Sequence, residues 1–122
     1  MSATDVLVVE DEPDVRASVA DILRGAGYRV AEAADGKEAL AVLSSEEVGA
    51  VLLDLRMPRM DGITLVDTLT DPPPILVVSS HSPDDAERAK LGAKVVDVLK
   101  KPVHPDVLLD RLGRVLVRKD GA

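Results

Sequence analysis

Five short apolar runs, spaced by amphipathic segments, constrain this chain more than any other feature. They are "VLVV" at 6–9, "RVAEA" at 29–33, "AVLLD" at 50–54, "ILVVS" at 75–79 and "VVDVL" at 95–99. Three are nearly continuous where a half-exposed strand would alternate, which predicts strands covered on both faces. Between the runs, apolar residues recur at helical spacing. Val15, Val19, Ile22 and Leu23 form a stripe after Pro13, and Gly25 and Gly27 end it. A second helix passes through Ala39, Leu40 and Leu43 after Asp35-Gly36. A third opens at Gly62, carries Ile63, Leu65, Val66 and Leu69, and must stop before Pro72-Pro73-Pro74. Ser82-Pro83-Asp84-Asp85 has the residues of a cap for a fourth, with Ala86, Ala89 and Leu91. Pro105 opens a fifth, with Leu108, Leu109, Leu112, Val115 and Leu116, and "RKDGA" at the end is expected to fray. Strand and helix alternate five times, so the expected fold is α/β, with a parallel sheet and helices on both faces.

A length of 122 residues suits a single domain, residues 1–122, with a substantial core. The sequence has one Tyr and neither Phe nor Trp, so that core must be aliphatic. A net charge of -7 disfavours direct contact with nucleic acid, whose phosphates are held mainly by Lys and Arg. Cysteine is absent, which excludes disulfides and thiolate metal sites. The opening "MSATDVLVVEDE" has no basic leader region, and no run approaches the ~20 apolar residues of a membrane span. A cytoplasmic location without membrane insertion is therefore expected.

In parallel α/β sheets, ligands bind outside the carboxyl ends of the strands. Here that edge collects the polar residues. The first run ends in Glu10-Asp11-Glu12, the third in Asp54, the fourth in Ser79-Ser80 and the fifth in Lys100-Lys101-Pro102. Several carboxylates converging there repel one another, and Lys101 alone does not offset them. A hard divalent cation with oxygen ligands would, and Mg²⁺, which binds through one or two carboxylates and keeps waters and phosphate oxygens, fits this set.

The stretches "VLVVEDEPDVR", "LLDLRMPRMDG", "ILVVSS" and "LKKP" occur in that order and resemble the signatures of the receiver domain of two-component response regulators. The resemblance covers essentially the whole chain. It implies a flavodoxin-like, doubly wound five-stranded sheet of order 2-1-3-4-5 with five helices, similar to the stand-alone chemotaxis regulators. It also implies a phosphorylation switch of a two-component phosphorelay. By this resemblance Asp54 is the phosphoacceptor, a carboxylate that attacks phosphorus and holds the phosphoryl group as a mixed anhydride. Asp11 binds Mg²⁺ directly, Glu10 contributes through water, and Asp54 and the backbone carbonyl of Arg56 complete the ligands. Ser79 hydrogen-bonds the phosphoryl group and Lys101 binds one of its oxygens as a point charge. The resemblance further implies a cis bond at Lys101-Pro102. It implies a histidine kinase or histidine phosphotransfer protein as phosphodonor. Output to a downstream protein or effector domain, or to a homodimer partner, would pass through the face of the fourth helix, fifth strand and fifth helix. Such a protein catalyses its own phosphorylation and slow dephosphorylation, although its task is signalling.

Beside these, Lys100 reads as a solvated lysine and His104 as a surface residue. Asp61-Gly62 reads as a structural turn in which Gly supplies backbone freedom. His81 and Arg56 each lie two residues beyond a site residue and are expected to influence how long the phosphorylated state lasts. Two departures from the family pattern stand out. Asp54 and Ser79 are closer in sequence than in many relatives, so the third helix or its exit must be short. Val98 stands where many receivers carry Tyr or Phe, so a rotating ring cannot report phosphorylation. Three other readings compete. An aspartate-nucleophile phosphohydrolase of the haloacid dehalogenase type would carry a second Asp at position 56, where this chain has Arg56. A dinucleotide or flavin module would need a Gly-rich first turn in place of "EDEPD". A pseudo-receiver that serves only for docking would normally have lost an acidic residue or the lysine.

Overall fold

The structure is a computed structural model. It describes residues 4–57 and 61–121, with the surroundings of side chains through Leu116. Pro58, Arg59 and Met60 of the "RMPRMDG" turn lie outside the described residues. The elements are β1 (Thr4–Val9), α1 (Pro13–Gly25), β2 (Val30–Ala33), α2 (Gly36–Ser45), β3 (Val48–Leu53), α3 (Gly62–Thr68), β4 (Ile75–Ser79), α4 (Asp85–Leu91), a 3₁₀ turn (Gly92–Lys94), β5 (Val95–Lys100) and α5 (Pro105–Gly121). All strand pairs are parallel, in the order β2-β1-β3-β4-β5. The expected α/β sheet is thus the observed one. Strand limits differ from the apolar runs by one or two residues. β1 and β3 begin earlier because they pair from Thr4 and Val48 onward, and Asp54 lies just beyond β3. Of the end expected to fray, residues 118–121 lie in α5, which continues through Gly121, and Ala122 lies outside the described residues.

The period of two along each strand divides the interior. Leu7, Val9, Val51, Leu53, Ile75 and Val77 face one side, where Ala39 of α2, Leu65 and Val66 of α3 and Leu91 of α4 cover them. Val6, Val8, Ala50, Leu52 and Leu76 face the other, against Leu23 of α1 and Leu108, Leu112 and Leu116 of α5. Central strands buried on both faces explain why these runs are continuously apolar. Truncating one of their buried leucines to Ala costs about 2–5 kcal/mol in cores of this kind.

Helix starts follow local chemistry. Pro13 occupies the first turn of α1. Asp35, Asp61 and Asp84 accept the backbone N–H groups of Glu38, Thr64 and Glu87 at 2.9, 2.8 and 2.8 Å. Glu87 returns the bond to the Asp84 amide, completing a capping box. The short interval between Asp54 and Ser79 is met by α3, which has only 7 residues. Its exit turns at Asp71, with φ of 52°. The Lys94 ammonium reaches back to the carbonyls of Val66 and Leu69 at 3.0 and 2.6 Å, where a helix leaves acceptors unpaired and favours a cation.

At the start of the sheet, Asp5 binds Arg29 in a fork. Its Oδ2 accepts the Arg29 amide at 2.8 Å and Nε at 3.3 Å, and its Oδ1 accepts Nη2 at 3.1 Å. The side-chain hydrogen bonds of Arg29, then its backbone amide, hold the Asp5 carboxyl below its ordinary 3.8. A depressed pKa contributes stability above the unfolded value and loses it as pH falls through the folded one. Wild type is therefore expected to exceed Asp5→Asn in urea-unfolding stability at pH 7. That margin should shrink as the pH drops below about 3.8.

Candidate functional site

Parallel register brings distant residues to one edge. Val9 pairs with both Ala33 and Leu53, Leu53 with Val77, and Ser79 with Lys100. The residues that follow these pairs emerge together. The Glu10 N–H donates to the Ala33 carbonyl at 3.1 Å, the Asp54 N–H to Val9 at 3.1 Å and the Lys101 N–H to Ser79 at 2.9 Å.

The Glu10 and Asp54 carboxylates share the Lys101 ammonium. Lys101 Nζ contacts Glu10 Oε1 directly and lies 3.3 Å from Asp54 Oδ2. The remaining oxygens are also engaged. Glu10 Oε2 accepts the Glu12 N–H at 3.2 Å, and Asp54 Oδ1 accepts the Arg56 N–H at 3.2 Å. Glu10 is only 4% exposed, whereas Asp11 is half-buried. Burial pushes the Glu10 carboxyl above its ordinary value, with Asp11 and Asp54 adding to the shift against the pull of Lys101 and the Glu12 amide. Burial pulls Lys101 down, but its hydrogen bond to Glu10 and the charges of Asp54 and Glu10 outweigh that and raise it. Lys101 thus stays an ammonium at neutral pH.

Oxygens of Glu10, Asp11 and Asp54 all lie within 4.8 Å of one another. At that separation each like-charge pair repels by on the order of 3 kcal/mol at an effective dielectric of 20. Three carboxylates against one ammonium leave two excess negative charges. An all-oxygen donor set with that deficit fits a hard divalent cation such as Mg²⁺.

Ser79 is 1% exposed, and its Oγ accepts the His81 N–H at 3.3 Å. The His81 ring turns outward, its Nε2 3.5 Å from Glu87 Oε1 in the capping box of α4. Arg56 and Lys100 are exposed, as is His104, whose Nδ1 accepts the Asp106 N–H at the start of α5. The Lys101-Pro102 peptide bond is cis, as the resemblance implied. Val98 packs with the aliphatic cluster under α2, α3 and α4. Two features were missed from the sequence. Glu10 also touches Lys101 itself, a contact beyond the metal role the resemblance implied for it. Arg16 reaches the Glu10 carbonyl at 2.8 Å. Both link residues by side-chain reach, which leaves no periodic signal.

Gly62 corrects an expectation. Its backbone is not in the left-handed region. A Cβ there would meet the Asp54 carbonyl oxygen at 2.7 Å and the Leu55 Cα at 2.8 Å. Glycine is required by close approach of α3 to the strand end, not by backbone freedom. The Gly62 N–H donates to the Leu55 carbonyl at 2.9 Å and closes this turn.

Residues 6–113 match the family described as response regulator receiver domain. The chain belongs to that family. It is 40% identical to response regulator MprA of Mycolicibacterium vanbaalenii over 96% of this chain and 53% of that protein. It is 39% identical to transcriptional regulatory protein PrrA of Mycobacterium tuberculosis, over 96% of this chain and 51% of that one. The chain thus spans about half the length of these curated relatives. Chemotaxis protein CheY4 of Vibrio cholerae superposes with a TM-score of 0.80 at 33% identity, covering 93% of this chain and 98% of that one. A CheY-like receiver domain from Methanospirillum hungatei superposes with a TM-score of 0.86 at 28% identity, covering 97% and 98%. As a receiver domain the chain is a module of two-component signalling. No helix among the described residues is long and apolar enough to cross a membrane.

The tight turn gives a direct test. Gly62→Ala should lower unfolding stability by about 1–3 kcal/mol, the usual cost of forcing volume into a packed contact. Amide NMR shifts should move most at residues 53–56. A variant as stable as wild type, with unmoved shifts, would show that α3 can retreat freely.

Proposed function

We propose that this receiver, read as a single domain over residues 1–122, is a phosphorylation switch whose phosphoacceptor is Asp54. The supporting observation is the convergence of Asp54, Glu10 and Asp11 with Lys101 at the carboxyl edge of the sheet. A histidine kinase or histidine phosphotransfer protein is the phosphodonor. An Asp54 carboxylate oxygen attacks phosphorus, the P–N bond to the donor histidine breaks, and an acyl phosphate forms. Glu10, Asp11, Asp54 and the Arg56 carbonyl would hold Mg²⁺, whose charge would offset that of the phosphoryl oxygens. Lys101 already touches Asp54 and is placed to follow a phosphoryl oxygen there as a point charge. The Ser79 hydroxyl can donate to another oxygen while still accepting the His81 amide. Water later cleaves the acyl phosphate, and Arg56 and His81 at the pocket rim modulate that rate. The setting is cytoplasmic.

Output passes through α4, β5 and α5 to an effector domain, a separate protein or a second copy. Two contacts favour this route. The His81–Glu87 contact leads from Ser79 to the cap of α4. The Asp97–Arg111 ion pair, 2.6 Å long, ties β5 to α5. With Val98 in place of a ring, transmission is by loop and helix displacement. Because the MprA and PrrA relatives are about twice as long, an effector segment beyond the receiver is one form this output would take.

Acetyl phosphate with MgCl₂ should add a single phosphoryl group, seen by intact mass, and Asp54→Asn should abolish it. Lys101→Met should keep the acceptor but slow the reaction by about 10²-fold, the range for losing one charge-stabilising donor. An adduct that persists in Asp54→Asn, or forms fully in excess chelator, would refute the assignment.

A further inference from the structure

We infer that Arg16 is a positioning residue for the cation site, acting through the backbone of Glu10. The inference rests on reading Glu10, Asp11 and Asp54 as that site. Arg16 stands in the first turns of α1, and its Nη1 donates to the Glu10 carbonyl at 2.8 Å, six residues back across the turn. Its Nε lies 3.5 Å from Glu32 Oε1 on β2, and its side chain is 19% exposed. Glu32 is itself held by Arg24, whose Nη2 lies 3.2 Å from Oε2. The planar guanidinium therefore spans a fixed carboxylate on one side and the β1–α1 turn on the other.

The consequence lies in the peptide planes. The Glu10 N–H is fixed by the Ala33 carbonyl at 3.1 Å, which is the last bond from β2 to this segment. The next peptide joins the Glu10 carbonyl to the Asp11 nitrogen, and Arg16 holds that carbonyl. Fixing this plane sets the direction in which Asp11 leaves the backbone. Glu10 and Asp11 then meet Asp54 with their separations already set. Arg16 does this without touching a carboxylate of the cluster, so it occupies none of their oxygens.

The sign of its effect separates this role from a role as a nearby charge. A guanidinium close to a cation site repels the incoming cation, so charge alone predicts tighter binding once it is removed. Positioning predicts the reverse.

The experiment is calorimetric titration of the unphosphorylated full chain with MgCl₂, with urea unfolding run beside it. Arg16→Met should weaken Mg²⁺ binding by about tenfold, as for other residues that orient metal ligands. Arg16→Lys, which keeps one donor and the charge, should fall between the two. Glu32→Gln, which leaves the carbonyl bond in place, should stay near wild type. Unchanged or tighter binding by Arg16→Met overturns the proposal, as does an equal loss in Glu32→Gln. Should Arg16→Met not fold, Arg16→Lys decides: affinity weaker than wild type supports the role, and wild-type or tighter affinity overturns it. Wild type that binds no more Mg²⁺ than Asp11→Asn would overturn the cation-site reading beneath it, and this proposal with it.

Discussion

Lys101 carries one positive charge into contact with two carboxylates that would otherwise only repel each other. Glu10 and Asp54 lie 91 and 47 positions from it in sequence, so nothing local brings them together. The contact exists because β1, β3 and β5 end at the same edge. It is incomplete as charge compensation, since Asp11 adds a third carboxylate within 4.8 Å of the other two. The site is held in a state that favours a further cation, and the fold bears that cost.

The aliphatic sheet allows it. β1 and β3 are the inner strands from which Glu10 and Asp54 emerge, and they are buried on both faces by two separate leucine- and valine-rich layers. A strand clamped on both sides cannot relax its end away from a repulsive neighbour without disturbing both layers. The turn after β3 is equally confined, because Gly62 packs against the backbone of Asp54 and Leu55 at distances that exclude even a methyl group. Repulsion at the edge is therefore not relieved by local unfolding, and it remains available to a ligand.

Most of this architecture was legible because it is periodic or capped. Continuous Val/Leu runs marked the buried strands, Pro13, Asp35 and Pro105 marked helix starts within a residue of where they occur, and the Ser82–Asp85 stretch held the cap of α4. The edge residues followed from topology alone, since every parallel strand delivers its next residue to the same side. What was not legible depends on reach. Glu and Asp look alike in a motif, yet the extra methylene of Glu10 lets its carboxylate meet Lys101 while its other oxygen stays on the Glu12 amide. Lys94 has no mark that distinguishes it from a solvated lysine, but it closes the end of α3. Gly62 was assigned correctly to a turn for the wrong reason, because a close backbone approach leaves no trace in the sequence around it.

Val98 shows how the same aliphatic economy limits the ways this receiver can respond. Its amide is bonded to its neighbour Asp97 at 2.8 Å, and the other oxygen of Asp97 holds Arg111 of α5. Its side chain is β-branched and packs with the cluster beneath α2, α3 and α4, so it has little rotamer freedom and no large group to swing. β5 carries Lys101 just past its end and Asp97 near its middle. A pull on the ammonium must therefore act on a strand already tied to α5, and the strand's own core residue cannot absorb it by rotating. On the output route proposed above, bistability would come from small shifts of whole elements, chiefly the Ser79–Asp84 loop, which is attached to α4 through its capping box. Shifts of that kind couple sites by about 1–3 kcal/mol. Coupling of that size would bias the proposed output face by up to about two orders of magnitude without making it all-or-none.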